Sequence, residues 1–214
     1  MKNSKFFYTN ADSLLNKFDE LNMRLSCDQF DIVCITEVKP KYNRYGLNIS
    51  EIQIDGYNVF SNMDSIGRGV VIYVNKQLKA TVTDNIQIQC NDVLLLSLQL
   101  NGADEVILGC IYRSPNSSQD FNVKLNRMII ELSQKKKKVL LIGDFNLPSI
   151  NWKTWTTSSN DINNKENKFI EAVRDSFLYK CVSQTTRYRA NEKSNILDLI
   201  LVDNKEYIKN INVH

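Results

Sequence analysis

The run LLIGDFNLPS, residues 140–149, is apolar up to Gly143 and then presents Asp144 and Asn146 one residue apart. A carboxylate and an amide so placed can divide the work of hydrolysis. Asp144 would orient or deprotonate an attacking water, and the Asn146 amide would hold a phosphate oxygen. Comparable groups stand where other apolar runs stop. Asn10 follows KFFYT, Glu37 follows DIVCIT, Tyr112 and Arg113 follow VILGCI, and Asp198 lies inside NILDLILV. Strand ends are where sites collect in layered α/β domains. Asp198, flanked by Ile196, Leu197, Leu199 and Ile200, needs a polar partner if it is buried. Carboxylates and amides without a Cys-His cluster suit a hard cation such as Mg²⁺, with Mn²⁺ as substitute, held through oxygen and water and completed by phosphate. Zinc is disfavoured, and the chemistry implied is hydrolysis of a phosphodiester.

The elements that must position these groups are short strands and a few helices in mixed order. KFFYTN reads as a strand. DSLLNKFDELNMRL places Leu14, Leu15, Phe18, Leu21 and Leu25 on one helical face, and DIVCITE is a buried strand ending at Glu37. A strand-rich block follows: YNVF, GVVIYV, KATVTD and VLLLSLQL, the last joined through NGADE to VILGCIYRSP as a hairpin. FNVKLNRMIIEL carries Phe121, Leu125, Met128, Ile129 and Leu132 at helical spacing ahead of the strand KVLLIGDFN. KENKFIEAVRDSF is a third helix, and YKCVSQ, NILDLILV and NINVH each read as strands. Sheets covered by helices make an α/β layered domain.

At 214 residues the chain suits one domain, and 43% hydrophobic with 24% charged residues is ordinary for a globular protein. No apolar stretch approaches the roughly 20 residues of a spanning helix, and the opening MKNSKFFYTNAD has neither an apolar signal core nor a cleavage site. Five widely spaced cysteines without a CxxC pattern fit buried thiols in a reducing, intracellular compartment. A net charge of +3 does not announce nucleic-acid binding, nor does it oppose a polyanionic partner.

The blocks YTNADSLLNKFDEL, ITEVKP, GRGVVIYV, GCIYRSP, LIGDFNLPSINW, TTRYR and ILDLILV, in this order, resemble the endonuclease/exonuclease/phosphatase family. In detail they are similar to the apurinic-type endonuclease domain of non-LTR retrotransposons. The resemblance covers nearly the whole chain. It implies a four-layered sandwich, two mixed sheets face to face with helices outside, and a Mg²⁺-dependent endonuclease that nicks DNA and leaves a 3′-hydroxyl. A reverse transcriptase domain would follow downstream, and the site of action would be the nucleus.

Carried over residue by residue, Glu37 resembles the principal metal ligand and Asn10 the supporting amide. Tyr112 resembles a phosphate-contacting tyrosine, Asp144 the water-activating aspartate and Asn146 the amide that positions the phosphate. Asp198 resembles the aspartate that orients a catalytic histidine. Thr186 and Ser194 stand where hydroxyls near the phosphate are found. Arg113 is a candidate for DNA or for a structural carboxylate.

The departure from the pattern lies in KNINVH, where the family has a Ser-Asp-His motif. His214 reads as a strand residue before a break rather than as the catalytic histidine, so the expectation is a unit truncated ahead of that motif. An impaired remnant that only binds metal or nucleic acid is then the alternative, as is another phosphoester substrate. KKKK at 135–138 reads as a solvated turn. KPKYNRYG at 39–46 interleaves basic and aromatic residues, and Tyr42 and Arg44 are candidates for contact with a nucleic-acid backbone. Trp152 and Trp155 read as packing residues.

Overall fold

The computed structural model describes residues 3–42, 46–63, 67–83, 90, 92–100, 105–135, 137–187 and 195–213. In chain order the elements are β1 (Phe6–Asn10), α1 (Phe18–Asp28), β2 (Ile32–Thr36), β3 (Tyr57–Asn62), β4 (Val70–Asn75), β5 (Lys79–Val82) and β6 (Val93–Gln99). They continue with β7 (Glu105–Tyr112), α2 (Gln119–Gln134), β8 (Lys138–Asp144), β9 (Ile150–Asn151), β10 (Thr156–Thr157), α3 (Lys165–Asp175), β11 (Tyr179–Lys180) and β12 (Asp198–Val202). A four-stranded sheet has the order β1-β2-β4-β3 and a six-stranded sheet the order β11-β12-β8-β7-β6-β5. Each holds one parallel pair, β1 with β2 and β7 with β8, joined through α1 and α2 respectively.

Alternation along the strands builds the layers. In the six-stranded sheet Leu108, Cys110, Leu140, Ile142 and Val202 face the other sheet, where Ile32, Cys34, Val70, Ile72 and Val74 meet them. The opposite rows, Ile107, Ile111, Val139, Leu141, Leu199 and Leu201, pack under α2 and α3. Val33, Ile35, Val71 and Tyr73 pack under α1 through Leu21 and Leu25. The result is helix, sheet, sheet, helix: the four-layered α/β sandwich. Each fully buried Leu, Ile or Val contributes about 1.5–3 kcal/mol to holding the layers together.

Helix starts follow local chemistry: the Ser118 hydroxyl accepts from Phe121 N–H at 3.2 Å, and the Asn164 amide oxygen from Glu166 N–H at 2.7 Å. Helix α2 buries Leu125, Met128, Ile129 and Leu132 as its spacing predicts, with Phe121 at the margin. The first helix departs from expectation. Residues 15–17 form a 3₁₀ turn, which breaks the 3.6-residue spacing, so Leu14 is buried while Leu15 is 46% exposed. Residues 210–213 of the NINVH run are irregular rather than a strand, pairing with no strand among the described residues, and Ile208 before them docks on the inter-sheet core. YKCVSQ contributes just two strand residues, and the small β9–β10 hairpin, where Trp152 packs edge-on against Trp155 and Phe169, was not foreseen.

All five cysteines are free thiols, with Cys27 exposed rather than buried. In the lysine run, Lys137 pairs with Glu105 at 2.5 Å and Lys138 lies over the Tyr207 ring, at the end of β8 remote from Asp144. No helix among the described residues is long and apolar enough to cross a membrane.

Gly143 is demanded by the parallel β7–β8 pairing. Its φ is +154°, and a Cβ there would lie 1.9 Å from the Ile111 carbonyl oxygen. Gly143→Ala should therefore cost about 3 kcal/mol or more. Urea unfolding checks it; a loss below about 1 kcal/mol would show that β7 and β8 separate without strain.

Candidate active site

The register that packs the core also assembles the polar groups. Tyr112 is paired with Asp144, and Asp144 with Asp198, so these three stand in one row across β7, β8 and β12. Directly paired residues share a face. That face is the inter-sheet one, since Leu108 and Cys110, or Leu140 and Ile142, precede them at intervals of two. In the other sheet Asn10, paired with Thr36, ends the inward row of Phe6 and Tyr8. The site is thus the polar end of the apolar layer between the sheets.

Glu37 reaches the site by leaving its strand. Strict alternation would send it towards α1 with Val33 and Ile35, but its φ of +53° turns the chain. Asn146, one turn past β8, has φ +47° for the same purpose. Left-handed non-glycine residues cost free energy and persist where surrounding contacts over-determine them.

The Asn10 amide joins the halves: Nδ2 donates to Glu37 Oε1 at 2.8 Å and to Asp144 Oδ2 at 3.1 Å. Its Oδ1 accepts from Asp12 N–H at 3.2 Å. Asp144 Oδ1 accepts the Asn146 N–H at 3.0 Å, which folds GDFN into an Asx turn. Asp198 finds its partner in Tyr8, whose hydroxyl donates to Oδ1 at 2.7 Å and lies 3.2 Å from the Thr36 hydroxyl.

Burial, followed by the charges of Asp198 and Glu37, pushes the Asp144 carboxyl up to about 7, against opposition from the Asn146 N–H and the Asn10 amide. Burial also raises Asp198, although bonds from Tyr8 and Thr186 oppose it. The Tyr112 hydroxyl is raised by burial and by the Glu37 charge, so it remains a neutral donor.

The structure brings together Asn10, Glu37, Tyr112, Asp144, Asn146 and Asp198. It places three other candidates elsewhere in role or position. Arg113 is 1% exposed; its Nε donates to Asn122 Oδ1 at 2.8 Å and its Nη1 to the Asn146 carbonyl at 3.0 Å. Buried beneath the GDFN turn, it braces that turn and cannot reach DNA. Thr186 Oγ1 accepts from the N–H groups of Leu197 and Asp198, both at 3.1 Å, so it anchors the start of β12. Tyr42 is 76% exposed beside Lys41 on the loop after Glu37. Arg44, Ser194 and His214 lie outside the described residues. Lys39, in the same basic loop, is buried and donates to the Met63 carbonyl at 2.8 Å rather than facing a backbone.

Sequence reasoning missed Tyr8 and Arg68. Tyr8 is two residues before Asn10 on one strand, a spacing that places both on one face. Arg68 stands in GRGVVIYV between glycines, and it donates to Glu37 Oε2 and to Asp12 Oδ1, the latter at 2.6 Å.

The donor set fits a small divalent cation. Glu37 and Asp144 present carboxylates to one space, with the Asn10 amide between them, and Mg²⁺ is commonly held by one or two carboxylates plus water and substrate phosphate. Among the described residues no group of three His, Cys, Asp or Glu is placed to hold a metal ion.

Two mixed sheets packed face to face, helices outside and acid and amide groups gathered at the strand ends define the endonuclease/exonuclease/phosphatase class of fold. Residues 106–214 match the family model described as endonuclease-reverse transcriptase, and the chain belongs to that family. Among solved structures it is similar to the endonuclease domain of TRAS1, a telomere-specific non-LTR retrotransposon, at 17% identity and TM-score 0.64, over 94% of this chain and 84% of that one. The AP endonuclease LMAP of Leishmania major is also 17% identical, with TM-score 0.67 over 93% of this chain and 78% of that one. A 3′-5′ exonuclease, NExo, of Neisseria meningitidis is 16% identical, with TM-score 0.61 over 92% and 85%. No curated protein sequence matches. The description of the matching family names an endonuclease activity.

The position of Asp144 has a consequence for stability. Its carboxyl ionises near 7 when folded and near 3.8 when free, so the folded state binds the extra proton between those values. Its contribution is complete below about pH 4 and is lost as pH rises through about 7. Asp144→Asn should gain on the wild type by on the order of 4 kcal/mol across that interval, measured without divalent ions. Parallel stability profiles for the two proteins would refute the assignment.

Proposed function

We propose that this chain is a Mg²⁺-dependent DNA endonuclease acting as one unit, which cuts one strand and leaves a 3′-hydroxyl that can prime reverse transcription. The observation that carries this reading is the Asn10 amide between Glu37 and Asp144, because it puts a metal-ligating carboxylate beside a carboxylate of near-neutral acidity.

Glu37 would hold the cation, with its carboxylate oriented by the Asn10 Nδ2–H; when bound, the cation polarises the phosphate and offsets charge developing on it. Asp144 accepts a proton from a water aligned with the phosphorus, and an acidity near 7 suits a general base at neutral pH. The water oxygen bonds to phosphorus as the bond to the 3′ oxygen breaks, and the departing oxygen takes up a proton. Asn146 and the neutral Tyr112 hydroxyl donate hydrogen bonds to phosphate oxygens. Asp198 is held by Tyr8 and Thr186 at the rim of the same space, where it would orient an imidazole. DNA is preferred as substrate because the retrotransposon endonuclease and the AP endonuclease share this fold. A reducing compartment, with the nucleus as the place of action, suits the free thiols.

Supercoiled plasmid incubated with the chain and Mg²⁺ should convert to open circle, and the new end should be extended by a polymerase. Glu37→Ala and Asp144→Ala should each slow nicking by at least about 100-fold, as should EDTA. Nicking that survives both substitutions would sink the assignment. A chain that binds Mg²⁺ and plasmid yet leaves the DNA supercoiled would favour a binding remnant.

A further inference from the structure

Arg68 is built into the site with each of its guanidinium nitrogens committed. Nε donates to the Lys39 carbonyl at 3.0 Å, Nη1 to Glu37 Oε2 and Nη2 to Asp12 Oδ1 at 2.6 Å. It is 7% exposed. The chain is shaped around it: a Cβ on Gly67 would lie 1.9 Å from the Asp92 carboxylate, and Gly69 has φ +76°. The Lys39 N–H donates back to the Arg68 carbonyl at 2.7 Å. Both carboxylates it clamps stand on left-handed backbone, Asp12 at φ +44° and Glu37 at +53°.

This arrangement makes the two oxygens of Glu37 unequal. Oε2 is occupied by a fixed cation, while Oε1 carries one amide hydrogen bond from Asn10 and keeps capacity for a further partner. An incoming cation is therefore offered one oxygen. Mg²⁺ accepts that, being octahedral and rich in water, whereas Ca²⁺ takes 6–8 oxygens at longer distance and readily uses a carboxylate through both.

We infer that Arg68 is a specificity-determining positioning residue: by locking Oε2 it restricts Glu37 to single-oxygen ligation and tilts the site towards Mg²⁺ or Mn²⁺ over Ca²⁺. The inference rests on the metal-assisted reading of Glu37 given above. Arg68 touches neither substrate nor reacting atoms; it acts through Glu37. Removing it adds net negative charge and so tightens every divalent cation. The ratio of affinities, not either affinity, isolates its effect.

Titration calorimetry of the whole chain without nucleic acid, using MgCl₂, MnCl₂ and CaCl₂, tests this. Arg68→Gln should lower the Mg²⁺ to Ca²⁺ affinity ratio by at least about 10-fold. Asp12→Asn, which leaves the Glu37 contact in place, should keep the ratio within about twofold. An unchanged ratio in an Arg68→Gln protein that melts cooperatively overturns the inference. Should that variant not fold, Arg68→Lys, which cannot reproduce the fork, decides: a ratio lowered at least about threefold supports the inference and the wild-type ratio overturns it. A wild-type chain that binds and nicks with Mg²⁺ while the variants keep its ratio sinks Arg68 alone; a wild-type chain that takes up none of the three ions sinks the metal reading as well.

Discussion

The amide of Asn10 is the contact on which the rest of the site depends, because it ties together the two carboxylates that the two sheets bring face to face. Its two hydrogens go to Glu37 on its own side and Asp144 on the other. Its orientation is not arbitrary: the oxygen is claimed by the Asp12 N–H, so the NH₂ group must face the carboxylates. Without a donor there, two carboxylates would confront each other at the edge of a low-dielectric layer, and one would be driven to protonate. With it, both can share a space while Asp144 stays near the threshold of ionisation.

Placing such a group requires that everything behind it keep register. Asn10 ends the column Phe6, Tyr8, Asn10, and Asp144 ends the column Leu140, Ile142, Asp144; a slip of one residue in either strand would send its acid or amide to the helix side. The apolar columns are what forbid the slip, since Leu140 and Ile142 are buried between the sheets and Phe6 and Tyr8 pack against the same core. Core packing and site geometry are thus one specification. The two parallel pairs, β1 with β2 and β7 with β8, bring four strand ends to the same edge, two from each sheet. The cost is a cluster of carboxylates at the end of an apolar layer, and Tyr8, Thr186 and the Asn146 N–H offset part of it by hydrogen bonding.

That logic explains what could be read from the chain. Polar residues ending apolar runs stand out because alternation makes them the last members of buried columns, and Asn10, Glu37, Tyr112, Asp144 and Asp198 were visible for that reason. Tyr8 and Arg68 were not. A tyrosine inside an apolar strand reads as packing, and its phenol matters only because β12 crosses opposite β1, a contact 190 residues away in sequence. Arg68 reads as a loop cation until the left-handed turns at Asp12 and Glu37 bring their carboxylates to it. Arg113 went a third way. As an arginine after a strand it was a candidate for DNA or for a structural carboxylate, yet the GDFN turn closes over it and its partners are the Asn146 carbonyl and the neutral Asn122 amide, a fact set by the backbone at Asn146 rather than by residue type. The helix face misjudged at Leu15 has a similar origin, in a 3₁₀ turn that no spacing rule announces.

Arg68 and Arg113, both buried, show how the fold meets opposite needs on the two sheets. Each braces main-chain carbonyls of a left-handed turn that follows a strand-helix-strand unit: Arg68 that of Lys39 after β2, Arg113 that of Asn146 after β8. Arg113 donates its other well-formed bond to the neutral Asn122 amide oxygen, so it stiffens the turn without gripping a carboxylate, and Asp144 is left free to exchange a proton. Arg68 grips two carboxylates, so Glu37 is stiffened and partly neutralised at once. A base must keep a lone pair available to a proton, which a fixed cation on the carboxylate would oppose, whereas a ligand must keep one oxygen still. Planar guanidinium forks can serve both ends because their donors are fixed in direction, which a lysine ammonium does not match. The difference between the acid that moves protons and the acid suited to hold a cation is therefore set by what stands behind each of them, not by the carboxylates themselves.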